Sequence, residues 1–456
     1  MTTKKTPIVA IVGRTNVGKS SLYNLVIGKR EAIVAKEAGT TRDSLMSKAK
    51  WRNQEFWLVD TAGVKDPEDD FEFTIQEQIY QASESADLIL LMVDAQVPIN
   101  DDDRKLSEMA LKSNKPVILV VNKIDKVKNN ALDHSRHVGI KDSFLISVSQ
   151  RRGINDLLND IVSKIPKISY KREDQNKITF SLIGRPNVGK STLFNAILKK
   201  QQAIVSERAG TTRDVNRNKV KYHSKNIEVL DTAGIRRSGK IEQGVERFSV
   251  IRSLSAIEES DVCLLLMDCN ELNVALDQKL AGMIKESGRG LILVITKWDA
   301  VKDKDPFLRD KIAQELKATF DFVPWAPLIL TSSITGQNVT KIFDLVLEVF
   351  SNRQQKIATS KLNNWLMETV NSHPPAGLKN RFPKLNYIIQ EKDNNIPAFK
   401  IFGSNTKFLH WSYKRYLERN LRLEYGFEGS PVQLWFIEKH IAHKHGISPT
   451  KSKKVT

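Results

Sequence analysis

Residues 13–20 read GRTNVGKS, and residues 184–191 repeat this stretch as GRPNVGKS, with a single difference. The pattern G-x-x-x-x-G-K-[ST] forms a loop whose backbone N–H groups surround phosphate oxygens at the start of a helix. Each copy follows an apolar, strand-like run and precedes a helical pattern. Because two chance matches in the same context are negligible, we expect two phosphate-binding domains of the P-loop class.

The repeat extends beyond the loop. With a constant shift along the chain, AGTTRD at 38–43 aligns with 209–214, and DTAG at 60–63 aligns with 231–234. A small insertion later, NKID at 122–125 meets TKWD at 296–299. Solenoid repeats run to about 50 residues, so a repeat this long indicates duplicated domains.

Near-continuous apolar runs alternate with helical patterns in both copies, as in LILLMVD at 88–94 and VCLLLMD at 262–268. Such runs are typical of parallel strands that are buried on both faces of a sheet. The motifs follow strand ends, where sheets of this kind bind ligands. The predicted fold class is therefore α/β, with two tandem P-loop domains that each have a mostly parallel sheet and helices on both faces.

The motifs predict how phosphates and Mg²⁺ are bound. The loop lysine reaches the β- and γ-phosphates, the next hydroxyl binds Mg²⁺, and the second threonine of TTRD contacts both the γ-phosphate and Mg²⁺. The DTAG aspartate suits a water-mediated role toward Mg²⁺, and the DTAG glycine can donate an N–H group to the γ-phosphate. The predicted catalytic residues are Lys19, Lys190, Thr41, Thr212, Gly63 and Gly234, and the predicted Mg²⁺ ligands are Ser20, Thr41, Ser191 and Thr212.

The NKID and TKWD segments predict which base is bound. Asp125 and Asp299 can each accept two hydrogen bonds from guanine, whereas adenine has no matching donors. Such sites discriminate by roughly 10⁴-fold, so we expect GTP and GDP rather than ATP. Thr296 stands where the first copy has Asn122, and its shorter side chain predicts weaker binding at the second site.

The full set of predicted nucleotide-binding residues comprises the two loops, the DTAG segments with the residue after each, and the two base-recognition segments. In the first copy they are Gly13, Arg14, Thr15, Asn16, Val17, Gly18, Lys19, Ser20, Asp60, Thr61, Ala62, Gly63, Val64, Asn122, Lys123, Ile124 and Asp125. In the second copy they are Gly184, Arg185, Pro186, Asn187, Val188, Gly189, Lys190, Ser191, Asp231, Thr232, Ala233, Gly234, Ile235, Thr296, Lys297, Trp298 and Asp299.

Two such domains in tandem, followed by a small basic domain, resemble the bacterial tandem-domain GTPase family Der, or EngA, of the TrmE-Era-EngA type. The resemblance covers residues 7–439, nearly the whole chain. It implies GTP hydrolysis in maturation of the large ribosomal subunit, with rRNA as a partner. We expect a cytoplasmic location, because Cys263 and Cys269 lie in or beside an apolar stretch and fit small buried side chains in a reducing cytosol. Ras-like enzymes orient water with a glutamine after DTAG, but Val64 and Ile235 stand here. The resemblance implies K⁺ instead, held by Asn16 and Asn187.

The C-terminal part shows an α-β-β-α-β pattern, which is compatible with a KH-type RNA module. The resemblance likewise implies a KH-like α+β domain, although the G-x-x-G loop that clamps nucleotides in KH domains is absent from the sequence. A helix is predicted over 405–424. Two interpretations of its aromatic and basic residues stay open. In the first, the aromatic residues pack in the core and the basic residues face solvent; in the second, both contact RNA directly. These residues are Tyr413, Lys414, Arg415, Tyr416 and Arg419.

Charge favours a polyanionic partner. The chain has a net charge of +18, and residues 355–456 contain 17 basic and 7 acidic residues. Nucleic acid is the favoured partner over a membrane surface. No apolar run has the length of a membrane span. The short apolar run at the N-terminus is a strand that enters the first loop and is not a signal peptide, and we expect a monomer without membrane insertion.

The predicted boundaries follow from these patterns. They are 7–167 for the first GTPase domain, 168–177 for a linker, 178–352 for the second GTPase domain, 353–440 for the KH-like domain and 441–456 for a basic, disordered tail. Two functions remain open: a GTP-hydrolysing ribosome assembly factor, and a nucleotide-gated RNA-binding scaffold with incidental turnover. A third, an RNA-modifying GTPase, lacks a second catalytic motif in the sequence.

Overall fold

The computed structural model describes residues 2–3, 6–28, 46–52, 54–61, 79–80, 82–83, 85–127, 138–166, 171–172, 177–204, 217–223, 225–230, 250–301, 307–376, 381–392, 394 and 396–438. Ten predicted site residues lie outside these ranges: Thr41, Ala62, Gly63, Val64, Thr212, Asp231, Thr232, Ala233, Gly234 and Ile235. Most of the predicted linker and the whole predicted tail also lie outside them.

The first GTPase domain is a parallel sheet with one antiparallel edge pair. Its elements are β1 (Thr2–Thr3), β2 (Ile8–Gly13), α1 (Lys19–Gly28), β3 (Met46–Trp51), β4 (Gln54–Asp60), β5 (Leu88–Asp94), α2 (Asp101–Lys112), β6 (Val117–Asn122), β7 (Ser143–Leu145) and α3 (Ile154–Lys164). The described sheet has the order β3-β4-β2-β5-β6-β7, and β3 pairs antiparallel with β4. Every residue of β2, β5 and β6 is buried, as the continuous apolar runs predict.

The second GTPase domain repeats this topology. Its elements are β8 (Lys171–Arg172), which pairs with β1, then β9 (Lys177–Ile183), α4 (Lys190–Ile204), β10 (Arg217–Tyr222), β11 (Lys225–Leu230), α5 (Val250–Glu259), β12 (Val262–Asp268), α6 (Ala275–Glu286), β13 (Gly290–Thr296), α7 (Leu308–Thr319), β14 (Leu328–Leu330) and α8 (Lys341–Gln354). The described sheet has the order β10-β11-β9-β12-β13-β14. The edge strands β3 and β10 are absent from the sequence interpretation because their sequences, MSKAKW and RNKVKY, contain no continuous apolar run.

The two GTPase domains lie in one compact unit, which comprises residues 1–351 and 429–431. One buried hydrophobic cluster contains side chains of both domains, including Trp57 from β4 and Leu254 from α5. Glu258 of α5 is buried between them and accepts hydrogen bonds from Trp57 Nε1 at 2.7 Å and from Thr6 N at 3.2 Å. Within the second domain it pairs with Arg289 at 3.0 Å.

The second compact unit comprises residues 352–428 and 432–456. Its described elements are α9 (Thr359–Ser372), β15 (Lys384–Gln390), β16 (Ala398–Ser404), α10 (Trp411–Tyr425) and β17 (Gln433–Glu438), in the predicted α-β-β-α-β order. β16 is the central strand, antiparallel to β15 and parallel to β17. Its buried core includes Leu362 and Leu366 of α9, Ile401 of β16 and Leu417 of α10.

The N-cap of α9 is Ala358, which makes no side-chain capping bond. One detail of this unit differs from the sequence interpretation. The single helix predicted over 405–424 is a 3₁₀ turn at Thr406–Phe408 followed by α10, and His410 caps the new helix. A side chain that accepts the amide of the second helical residue starts a helix, so His410 explains the break.

Among the described residues, no helix is both long enough and apolar enough to cross a membrane.

Candidate nucleotide-binding sites

The first loop turns sharply between β2 and α1. Gly13 has φ 149° and Asn16 has φ 64°, both in the left-handed range. A Cβ atom on Gly13 would lie 2.3 Å from the carbonyl oxygen of Met92, so only glycine fits at this point. Gly18 has φ 102° and immediately precedes α1, whose first N–H groups therefore face the inside of the loop. This geometry forms a cradle for phosphate oxygens.

The loop lysine lies across the cradle in both domains. Lys19 Nζ donates to the carbonyl oxygens of Gly13 at 2.7 Å and Arg14 at 2.6 Å. Lys190 Nζ makes the matching bonds to Gly184 at 3.1 Å and Arg185 at 2.6 Å. The ammonium group of each lysine is thus held inside its loop, where the sequence predicts contact with the β- and γ-phosphates.

The arginine at the second position of each loop holds the loop in place through its side chain. Arg14 forms a two-pronged ion pair with Asp103 of α2, with Nε–Oδ1 and Nη2–Oδ2 both at 2.9 Å. In the second domain, Arg185 pairs with Asp277 of α6 at 3.1 Å and with Glu271 at 2.9 Å. Arg14 and Arg185 are among the predicted nucleotide-binding residues, but the structure directs their guanidinium groups to these carboxylates.

Burial raises the pKa of both loop-holding carboxylates. Asp277 is fully buried, and burial raises its pKa to about 6 even though Arg185 lies beside it. Burial also raises the pKa of Asp103, against the opposing charge of Arg14. Both aspartates lie in the first turn of their helices.

The structure brings together two groups that the sequence connects with Mg²⁺. Ser20, the second residue of α1, donates its hydroxyl to Oδ2 of Asp60, the last residue of β4, at 2.6 Å. A hydroxyl and a carboxylate side by side are the hard oxygen donors that Mg²⁺ prefers. These residues therefore fit an Mg²⁺ ion next to the phosphate cradle. Ser20 would be a direct ligand, and Asp60 would contact the ion through water.

The predicted base-recognition segments begin where β6 and β13 end. Asn122 Nδ2 donates to the carbonyl oxygen of Val17 at 2.9 Å, and its Oδ1 accepts from Val148 N at 3.2 Å. Asn122 thus joins the phosphate loop to the loop that follows β7. In the second domain, Thr296 Oγ1 lies 2.6 Å from the carbonyl oxygen of Val188, which preserves the first of these two connections.

The two aspartates that the sequence predicts to bind the base each accept a serine hydroxyl. Ser147 Oγ donates to Asp125 Oδ1 at 2.6 Å, and Ser149 Oγ donates to Oδ2 at 3.2 Å. In the second domain, Ser332 donates to Asp299 in the same way. The hydrogen bond from Ser147 holds the pKa of Asp125 below its ordinary value, so this carboxylate stays charged as an acceptor.

Lys123 connects further parts of the first site. It has a left-handed backbone, and its Nζ donates to Asn16 O at 2.8 Å and to Asp94 Oδ2 at 2.6 Å. Lys297 has the same backbone conformation and pairs with Asp268 at 2.6 Å. In both domains, the lysine of the N/T-K-x-D segment therefore forms an ion pair with the aspartate at the end of the preceding strand of the sheet, Asp94 or Asp268.

The sequence interpretation missed several of these supporting residues. The serines that orient the aspartates are Ser147 and Ser332, and the carboxylates that hold the loop arginines are Asp103 and Asp277. A signal for the serines exists, because LISVS at 145–149 aligns with LTSSI at 330–334. For Asp103 and Asp277 the sequence shows only an aspartate in the first turn of a helix. Such aspartates are common at helix starts, so they do not identify the partner of a loop arginine.

Comparison with known proteins agrees with this geometry. Residues 8–123 and 179–297 match the family described as "50S ribosome-binding GTPase", and residues 356–436 match the "KH-domain-like of EngA bacterial GTPase enzymes, C-terminal" family. GTPase Der of Gemmatimonas aurantiaca is 40% identical over 94% of this chain and 98% of its own length. GTPase Der of Chloroflexus aggregans is 39% identical over 94% of this chain and 97% of its own.

The chain belongs to the Der (EngA) family of tandem GTPases. It is a GTP-hydrolysing enzyme with two P-loop GTPase domains and a C-terminal KH-like domain. Guanine nucleotides, with the Mg²⁺ typical of such enzymes, are its ligands. These identities confirm the predicted family, fold class and enzyme class.

Proposed function

We propose that this Der-family GTPase acts in maturation of the large ribosomal subunit and contacts rRNA there. The observation that carries the proposal is the combination, in one chain, of two GTPase domains with a KH-like domain of the EngA type. The family description for both GTPase domains names binding to the 50S ribosome. The excess of basic residues in the C-terminal part supplies attraction to RNA phosphates.

The individual site residues have the following proposed roles. Lys19 and Lys190 stabilise the charge on the transferred phosphoryl group, because each is held over its loop by two carbonyl oxygens. Thr41, Thr212, Gly63 and Gly234 contact the γ-phosphate. When bound, Mg²⁺ neutralises charge on the β- and γ-phosphates, with Ser20 and Ser191 as its ligands beside Thr41 and Thr212.

K⁺ is part of the proposal. Asn16 and Asn187 have left-handed backbones and exposed side chains at matching positions of the two loops. An amide oxygen there can bind a monovalent cation next to the phosphates, and the apolar Val64 and Ile235 cannot orient water. Replacing K⁺ with Na⁺ at constant ionic strength should slow GTP turnover several-fold, and equal rates in the two salts would reject the role of K⁺.

The proposed function is tested by GTP turnover of the full chain with purified ribosomal subunits. Large subunits should raise turnover several-fold, whereas small subunits at the same concentration serve as the control. Stimulation by neither subunit, with RNA binding retained, would favour the alternative of an RNA-binding scaffold whose turnover is incidental.

A further inference from the structure

We propose that a cation–aromatic patch on the KH-like domain binds single-stranded RNA by stacking unpaired bases. The patch consists of Arg381, Phe382, Lys407, Phe408, Trp411 and Arg415. It differs from the clamp of ordinary KH domains, whose G-x-x-G loop this sequence lacks. The inference rests on the proposed function, since it names the surface that would contact rRNA.

Each cation of the patch lies over an aromatic ring. The Arg381 guanidinium is 5.1 Å and Lys407 Nζ is 5.3 Å from the centre of the Phe408 ring. The Arg415 guanidinium is 4.8 Å from the centre of the Trp411 ring. Next to the patch, Lys414 Nζ lies 5.3 Å from the ring of Phe436. Aromatic rings combined with positive charges are what proteins use to bind single-stranded nucleic acid.

The charges of the patch are available to phosphates. Arg381, Lys407 and Arg415 are exposed, and within the described part of the chain none of them forms an ion pair with a carboxylate. Other basic residues of the same unit are paired, as in Lys400 with Glu391 and Arg422 with Glu418. The segments 381–384 and 405–415 contain no acidic residue. The carboxylate of Glu438 accepts the backbone N–H groups of Asn405 and Thr406, and it interacts with the charge of Lys407 without forming an ion pair.

Two large apolar side chains of the patch face solvent. Trp411 is 59% exposed and Phe382 is 68% exposed. Leaving such rings in water forgoes the burial that stabilises a core, and rings of this kind mark binding surfaces when they lie among cations. Their backbone is held in place, because His410 caps α10 at Trp411 and Asn405 Nδ2 donates to the carbonyl oxygen of Phe382 at 3.2 Å.

The structure separates these rings from the aromatics that the sequence suggested for RNA contact. Tyr413 donates its hydroxyl to His373 O at 2.6 Å, and Tyr416 donates to Thr369 O at 3.3 Å, so both pack against α9. For Tyr413 and Tyr416 the packing interpretation is therefore the better one. Trp411 and Phe382 are largely exposed, and Arg415 lies over one face of the Trp411 ring. Exposed rings beside cations suit unpaired bases, whereas an acidic peptide would use the cations but not the rings.

The test uses the full chain with GDP and a fluorescently labelled, unstructured ten-nucleotide RNA. Trp411→Ala should weaken binding at least about fivefold, and Trp411→Phe should restore most of the loss, because stacking contributes about 1–3 kcal/mol per base. Arg415→Gln should weaken binding and lower the slope of log affinity against log salt concentration by about one. Met367→Ala and Lys361→Gln, which change exposed residues of α9, are the matched controls and should bind like the parent.

Parent-like binding by both Trp411→Ala and Arg415→Gln would overturn the proposal. The proposal would also be overturned if these variants bound RNA like the parent but lost binding to phosphatidylglycerol vesicles, since that result would assign the patch to a membrane. The proposed function is tested independently of the patch. It is contradicted if large subunits do not stimulate GTP turnover of the parent, even if the RNA oligonucleotide binds at the patch.

Discussion

Trp57 of the first GTPase domain donates its indole N–H to Glu258 of the second, with Nε1 and Oε1 separated by 2.7 Å. Both side chains are buried, and Lys48 Nζ lies 3.9 Å from the same carboxylate oxygen. Burial acts to raise the pKa of Glu258, but the charges of Lys48 and Arg289, together with the hydrogen bonds from Trp57 and Thr6, hold the pKa below its ordinary value. The carboxylate therefore remains charged inside the contact between the two domains.

Trp57→Phe should loosen this contact while keeping an aromatic ring in the core. Loss of one bond to a buried charged group costs about 1–3 kcal/mol, so amides of β4 and of α5 should exchange hydrogen faster. Trp51→Phe is the matched control, because Trp51 Nε1 donates to Asn159 Oδ1 within the first domain. Unchanged exchange in α5 of Trp57→Phe would contradict the coupling.

Asp125→Asn and Asp299→Asn should each lower GTP affinity at one site by at least about tenfold and favour xanthosine triphosphate. The new amide can donate to the 2-oxo group of xanthine, whereas it faces the 2-amino group of guanine with a donor. Competition between the two nucleotides measures the effect. Ser147→Ala is the control: it should weaken GTP binding without a preference for xanthine, because only the orientation of Asp125 is lost. A variant that keeps its preference for guanine would refute base reading by that aspartate.

Thr296→Asn should tighten GDP binding at the second site by about threefold to tenfold, since it restores one hydrogen bond between neighbouring loops. Asn122→Thr should weaken the first site by a similar factor. Titrations with labelled GDP in chains that carry Lys19→Ala or Lys190→Ala isolate each site. Weaker GDP binding in Thr296→Asn and tighter binding in Asn122→Thr would show that threonine at this position does not weaken nucleotide binding.

The pKa of Asp277 predicts a pH dependence of stability. Because burial raises it to about 6, the folded chain binds a proton more tightly than the unfolded chain does. The destabilisation is complete above pH 6 and disappears as the pH falls toward the ordinary value of 3.8. The parent should therefore gain thermal stability relative to Asp277→Asn between pH 7.5 and 4.5, on the order of 2 kcal/mol. Parallel unfolding midpoints for the two proteins across this range would count against it.

Local chemistry explains which features the sequence could predict. The buried strands and the two phosphate loops follow from apolar runs and from glycine, lysine and hydroxyl residues at fixed spacing, and both domains have them. Long-range pairs such as Arg14 with Asp103, or Trp57 with Glu258, depend on how elements pack, and no local pattern encodes them. The break before Trp411 was missed because a histidine N-cap is an uncommon helix start.

The central claim, that the two GTP sites control engagement of the large ribosomal subunit, has a direct measurement. It is co-sedimentation of the full chain with large subunits under GDP and under a non-hydrolysable GTP analogue, for the parent, Ser20→Ala and Ser191→Ala. Binding of the parent should depend on the nucleotide and weaken steeply with salt, and each variant should lose the GTP-dependent part because it lacks an Mg²⁺ ligand. If the parent and both variants bind equally under every nucleotide, the GTP sites do not control engagement of the subunit.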